Sequence, residues 1–405
     1  MDTWVAPLVL NLTDSKAIRG LVLRNTGGYV HEDPVNTHPS VVFRASNNNV
    51  MAAINIAVAS TATMDVLTIE FDNLGSLPVA GSYVLDVYVP TQSLQYLETT
   101  DDGDTVVYPN TLNTDATQDL TILASGRGNV FVLARDLIAN DMLLAARSSG
   151  AVQLAIEQTV VASKMNLVSS NAGVVTLASF TTTADELNTL TLGHGNVVVA
   201  ATKSLGVNAM SSRALGDGAI LFATPGACNS SAIETVAGGE VFANLVDCLD
   251  TKVSLGGSGD VYLSSTYSLD VTDIGLGDVY ASVSAVTAAT GPFSRVPDTF
   301  TVPVYDILTV PSEVIQFIEL AAGSGDATND MTTIPPRDTT TKADASSTDV
   351  GLLVFAIVLF IVAAASYTLY RLKKLRHTKL SIEDKLADAG FATVGTPKEP
   401  TTLSL

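Results

Sequence analysis

Residues 255–263 read LGGSGDVYL: three glycines, an aspartate, then apolar residues at alternate positions. A glycine-rich loop leading into a strand can cradle a phosphate, hold a calcium ion or simply turn the chain. The stretch does not stand alone, and that decides among the three. Aligned on Gly259, the same grammar recurs as GLGDVYAS at Gly277. Upstream it appears as AGGEVFAN (Gly239), GDGAILFA (Gly218), GHGNVVVA (Gly195), NAGVVTLA (Gly173), SSGAVQLA (Gly150), GRGNVFVL (Gly128) and DDGDTVVY (Gly103). The steps between these glycines are 25, 22, 23, 22, 23, 21, 20 and 18 residues. Two positions after each glycine stands a β-branched residue, and four positions after it an apolar one, from Thr105 and Val107 to Val279 and Ala281. Period-two apolarity straight after a glycine is a strand leaving a tight turn. A second apolar segment ends just before most of the turns, as in MLLAAR and MNLVSS.

A self-similar unit of about 22 residues carrying two short strands predicts an all-β fold, a β-solenoid or β-helix of about nine rungs. A sandwich of β-hairpins is the alternative, and the near-constant period favours the solenoid. The expected organisation is a β-rich N-terminal cap over 1–95, the solenoid over 96–290 and a C-terminal cap over 291–320. Trp4, Phe43, Phe71, Tyr83 and Tyr88 supply the first cap with larger groups than the rungs use. Prolines at 292, 297, 303 and 311, which block a ladder, point to the second.

The C-terminal end reads differently. Residues 350–370, VGLLVFAIVLFIVAAASYTLY, contain no charge. At about 1.5 Å per residue they span roughly 30 Å, the thickness of a hydrocarbon core, so one transmembrane α-helix is expected. RLKKLRHTK follows at once, whereas Ala343 to Asp349 carries two acids and no base. The positive-inside rule then puts the tail, 371–405, in the cytoplasm and the body outside, with the plasma membrane the expected location. Residues 321–349, rich in Thr, Ser, Asp and Pro, read as a disordered stalk. The first twenty residues lack a basic n-region and a continuous apolar h-region. Either the sequence begins downstream of the true start, or the protein is tail-anchored with its body in the cytosol. The charge flank favours the first. The sequons at Asn11 and Asn229 are compatible with N-glycosylation outside.

Charge narrows the partners. The tail holds 7 Lys/Arg and 4 acids; taken from totals of 21 and 41, this leaves 14 basic and 37 acidic residues upstream, a net of −23. Such a body repels nucleic acid and anionic lipid.

From Ser82 to Tyr108, SYVLDVYVPTQSLQYLETTDDGDTVVY leads into the G-x-G-[DN]-V turns. This stretch and the turn series resemble the head GIN domain family of presumed auto-transporter adhesins, over roughly residues 16–290. IRGLVLRNTGGYVHE (Ile18 to Glu32) resembles the opening hairpin of such domains. The resemblance implies a β-helical, adhesive surface head without catalytic residues. The membrane span and basic tail depart from that family and look more like a eukaryotic single-pass surface protein.

Cys228 lies 10 residues after Gly218 and Cys248 lies 9 after Gly239, nearly the same column of adjacent rungs. A rung spacing of about 4.8 Å suits a disulfide between them if the body is extracellular; two buried thiols are the alternative in a cytosolic protein. Other chemistry is sparse. No His/Cys cluster has zinc spacing, and no G-x-S-x-G nucleophile signature occurs. His31, Glu32, Asp33 and His38 share one loop but lack outside partners for a metal, so no metal and no cofactor are expected. GGSGD resembles a glycine-aspartate calcium repeat, yet the period here is far longer than nine residues, and turn stabilisation explains Asp260 and Asp278 better.

The function read from this is a non-enzymatic, adhesin-like or structural recognition protein, with a surface protein or polysaccharide as ligand. A β-helix enzyme acting on polysaccharide through stacked carboxylates is the alternative, with Asp260, Asp278, Asp270 and Asp273 as candidates. A surface receptor is another.

Overall fold

Each glycine turn leads into a strand paired in parallel with the same segment one rung on. The computed structural model describes residues 4–321 apart from 13–17, 62–63, 73–77, 283–287, 298–299 and 313–314. Ala151–Ser169 shows how one rung is built. Val152 and Leu154 face inward on a first face, Val160 and Ala162 on a second, and Met165, Leu167 and Ser169 on a third. In the ladder Val152 stands between Val130 and Val175, Val160 between Leu137 and Thr182, and Leu167 between Leu144 and Thr189. Both inward positions after every one of the nine glycines are buried, so the sequence columns form one continuous interior. The result is an all-β solenoid of about nine turns.

The corner after each glycine is tied across rungs. Asp104 Oδ1 accepts the Asn129 N–H at 2.8 Å, Asn129 Oδ1 accepts that of Ala151 at 3.0 Å, and Asn196 Oδ1 accepts that of Ala219 at 2.8 Å. Asp260 Oδ1 accepts the Asp278 N–H at 2.9 Å. The Asp or Asn that follows the glycine therefore satisfies a backbone donor one rung away. The glycine itself is needed for close approach: a methyl group at Gly195 would run into the carbonyl oxygen of Gly173, and one at Gly218 into that of Gly195.

The N-terminal region mixes both pairing modes. Leu8–Asn11 pairs antiparallel with Ser40–Ala45, which pairs antiparallel with Val79–Pro90. A short helix, Asn48–Ala52, is capped by the Asn47 side chain, which accepts the Val50 N–H. Phe43, Phe71 and Tyr83 pack at centroid distances of 4.8–5.8 Å, while Trp4 is exposed. Residues 18–32 do not form the hairpin that the family resemblance implies. Ile18–Arg24 pairs in parallel with Asp65–Phe71 and Tyr96–Thr100, and Gly28–Asp33 with Val79–Pro90 and Thr105–Val107. They make another rung, turned at Gly27 against Gly103. That rung is inserted between segments that follow it in the chain.

The segment expected to cap the far end, 291–320, does something else. Ser294–Arg295 adds one short parallel pairing to Val279–Ser282. Residues 300–312 then return along the outward side of the first face. Phe300, Val302 and Tyr305 pack on Val198, Leu221 and Phe242, and Val310 packs beside Val106 and Phe131. Gln153 clasps this strap midway: its Nε2 donates to the Leu308 carbonyl and its Oε1 accepts the Leu308 N–H, both at 2.8 Å. Gln316–Leu320 finishes antiparallel to Val79–Tyr83. Prolines at 303 and 311 keep the strap from pairing as a ladder strand, so side chains rather than backbone hold most of it. Among the described residues no helix is long and apolar enough to cross a membrane. The expected span at 350–370, the tail at 371–405 and the stalk from 322 onward lie outside the described residues.

Cys228 and Cys248 pair in register and are joined as a disulfide, with Cα atoms 4.4 Å apart. Cross-linking a loop of this size is worth about 3 kcal/mol. Cys228→Ala with Cys248→Ala should lower the urea-unfolding free energy by about that amount, and an unchanged midpoint would mean the rungs need no staple. Gly195→Ala should cost about 3 kcal/mol or more by overpacking. Gly206→Ala, where a methyl group meets only open space, should stay within about 0.5 kcal/mol of wild type. Equal losses at the two sites would remove the close-approach account.

Candidate functional site

The outward side of the first face carries a cluster of aromatic and charged side chains near its N-terminal end. Asp86 and Tyr88, two apart on one strand, lie on the same side of it. The parallel register sets His31 beside Tyr88 and Tyr29 beside Asp86. The imidazole of His31 is stacked between Tyr88 (5.1 Å, 24°) and Tyr108 (4.7 Å, 11°). Its Nε2 lies 3.3 Å from Asp86 Oδ1, and Arg44 Nη2 donates to Asp86 Oδ2 at 2.6 Å. Burial pushes the Asp86 carboxyl up, but the bonds from His31 and Arg44 outweigh it, and the net shift is downward. This cluster ties Gly28–Asp33, Ser40–Ala45 and Val79–Pro90 together. Among its residues only His31 was a candidate from sequence; Asp86 gave a signal as a lone acid inside the apolar run YVLDVYV.

The other loop residues go separate ways. Glu32 accepts from Thr91 at 2.6 Å and from Asn110 at 2.9 Å, and these bonds lower its pKa. Asp33 caps a turn through the Asn36 side chain and the N–H groups of Val35 and Asn36, and its pKa is lowered as well. His38 Nδ1 is buried without a partner. Among the described residues no group of three His, Cys, Asp or Glu could hold a metal ion.

The acidic candidates are largely occupied by turn bonds. Asp260 ties the next rung, Asp273 Oδ1 accepts the Gly275 N–H at 3.0 Å, and Asp270 Oδ1 accepts from Thr290 at 2.6 Å. Glu240 is raised first by burial and then by the neighbouring Asp260 carboxylate. Beside this column Phe242, Tyr262 and Tyr280 stack at 4.9–5.2 Å, and Phe300 from the strap lies 4.2 Å from Tyr262. Burial, and then Asp260 or Asp278, raises both tyrosines.

Two concavities form where the returning chain crosses the ladder. A cleft of about 620 Å³ lies beside Gln316–Leu320 and contains Asp101, Asp102, Arg127 and Glu319. Arg127 pairs with Asp102, and the Asn25 N–H bonds Asp101. None of these carboxylates is buried, and burial is what raises a carboxyl to the value a general acid needs. A second cavity of about 360 Å³ lies under the strap, floored by Val198, Leu221 and Phe242 and bordered by Thr176, Asn196 and Asp306.

Asn11 and Asn229 are exposed. The Asn229 amide donates to Asn208 Oδ1 at 2.7 Å, and the sequon hydroxyl, Ser231, faces the interior.

No protein-family model matches the chain, and neither does any curated protein. Solved structures of similar outline include a presumed adhesin from Parabacteroides merdae, with 14% identity over 72% of this chain and 96% of that one, and a TM-score of 0.39. A presumed lipid-binding protein from Parabacteroides distasonis has 14% identity over 68% and 96%, with a TM-score of 0.43. A presumed adhesin from Bacteroides fragilis has 14% identity over 68% and 97%, with a TM-score of 0.37. At these scores the likeness says nothing about what this chain binds.

Because the folded Asp86 carboxyl holds its proton less tightly than the unfolded chain does, its stabilisation is complete above the unfolded value, about 3.9. It is lost as pH falls through the lower folded value. Below about pH 4, wild type should therefore lose stability more steeply than Asp86→Asn. Urea midpoints measured across this range check the point, and parallel slopes would exclude Asp86 as an ionic anchor.

Proposed function

We propose that this chain is a non-enzymatic surface recognition protein of adhesin-like type. Its β-solenoid head is held through a stalk on a single membrane span at 350–370, with the body outside the plasma membrane and the tail at 371–405 in the cytoplasm. Its ligand is a surface protein or a polysaccharide. Asn11 and Asn229 are its glycan acceptors, and the resemblance to the head GIN domain family supports the reading over residues 16–290.

The observation that carries this proposal is where the chain leaves the head. Leu320 pairs with Val79, so the chain exits at the N-terminal end of the ladder, opposite the last rung pairings at Ala288–Thr290 and Ser294–Arg295. An attachment made beyond Ala321 acts on that first end and does not draw on the far rungs. Near the far rungs Ile274 and Leu276 are almost fully exposed. The charge-free segment 350–370 and the basic run after it support the anchor and its orientation.

One observation favours a second reading: the cleft that places three carboxylates near Arg127. A polysaccharide-active enzyme using it would lose turnover on soluble β-glucans and pectins with Asp101→Asn or Glu319→Gln; no turnover by wild type leaves recognition.

Topology decides the main reading. An impermeant amine-reactive label applied to intact cells should modify Lys164, Lys203 and Lys252 but not Lys373 or Lys374, as peptide mass mapping will show. Labelling of the tail lysines with the body spared would overturn the proposal.

A further inference from the structure

The cavity under the strap is a built concavity with unspent polar groups. Its floor, Val198, Leu221 and Phe242, is almost wholly buried and apolar. Thr176 lines it at 2% exposure. Asn196 uses its Oδ1 on the Ala219 N–H, which leaves its amide N–H groups for the cavity it borders. On the strap side Tyr305 contributes an aromatic wall, and Asp306 sets a carboxylate at the rim without a salt bridge to any described cation. The volume, about 360 Å³, falls in the range of small-molecule sites, roughly 300–1,000 Å³.

We propose that this cavity binds a small amphipathic cation: an apolar or aromatic body over Val198, Leu221 and Phe242, with an ammonium head at Asp306. Three features select that chemistry over a neutral or acidic ligand. Among the described residues of the lining, Asp306 alone carries a formal charge. Tyr305 places an aromatic ring on the lining, and the face of such a ring favours a cation over an anion. The body around it carries a large net negative charge, which concentrates cations at its surface. Thr176 and Asn196 offer hydrogen bonds within the cavity for a polar substituent of the ligand. The site does not depend on where the head is displayed, so it stands or falls apart from the membrane topology.

The test uses the full chain with methyl-labelled valine and leucine, titrated with phenethylamine and with its anionic counterpart 3-phenylpropanoate. The amine should shift the Val198 and Leu221 methyl signals saturably and bind about fivefold more tightly than the acid, the size of one solvent-exposed charge contact. Asp306→Asn should abolish that preference, and Thr176→Val should leave it in place, since phenethylamine carries no polar group besides its ammonium head. Leu221→Trp, which fills the cavity, should remove the saturable shifts for both compounds. If that variant does not fold, Val198→Phe, judged by the Leu221 methyl signals after its circular dichroism matches wild type, serves instead. The inference is overturned by absent shifts at Val198 and Leu221, by equal affinity for amine and acid, or by a preference that survives Asp306→Asn.

Discussion

Everything in this molecule depends on how closely one rung can lie on the next at the glycine corner. The backbone of Gly195 rests against the carbonyl of Gly173, and Gly218 against Gly195, in places where a side chain has no room. Parallel strands pair only at about 4.8 Å, and the corner is where the chain must turn without prying that spacing apart. The Asp or Asn that follows completes the joint by taking up the N–H of the next rung. With the corners fixed, the inward residues two and four places on fall into columns, and a buried side chain of that size contributes about 1.5–3 kcal/mol.

Stacking like residues has a second consequence on the outside. In a parallel ladder, an outward side chain meets its counterpart one rung away, so chemistry spreads into stripes and does not converge. The carboxylates of Glu240, Asp260 and Asp278 form such a stripe, and so do the rings of Phe242, Tyr262 and Tyr280. Convergence needs a second layer. The strap supplies one at the Leu221 cavity, and Gln316–Leu320 supplies one at the Arg127 cleft. At the N-terminal end, the antiparallel strand bearing Arg44 brings a cation onto Asp86 and His31.

Much of this was legible in the residues themselves. The nine glycine turns, the inward columns and the shared register of Cys228 and Cys248 follow from local rules, because alternation locked to a turn residue sets both the strand and the side it buries. The pair Asp86 and Tyr88 shows the limit. Their spacing puts them on one side of a strand, but nothing local brings His31 and Arg44 to them. Proline had the same ambiguity: at 303 and 311 it excluded a ladder strand correctly, yet a cap and a strap exclude ladder bonding equally well.

What the sequence alone determined, then, is the repeating rung: which residues turn, which face inward, and that the body is acidic and β-solenoidal. Only the tertiary structure decided the order of the first rungs, with Ile18–Asp33 slotted between segments that follow it in the chain. It also decided the path of residues 300–320 back to Val79. The physical reason is one of range. A turn and an alternating strand are fixed by neighbours a few residues away. The partner of a strand edge, or of a proline-rich segment, is settled by competition among apolar surfaces that lie up to hundreds of residues apart.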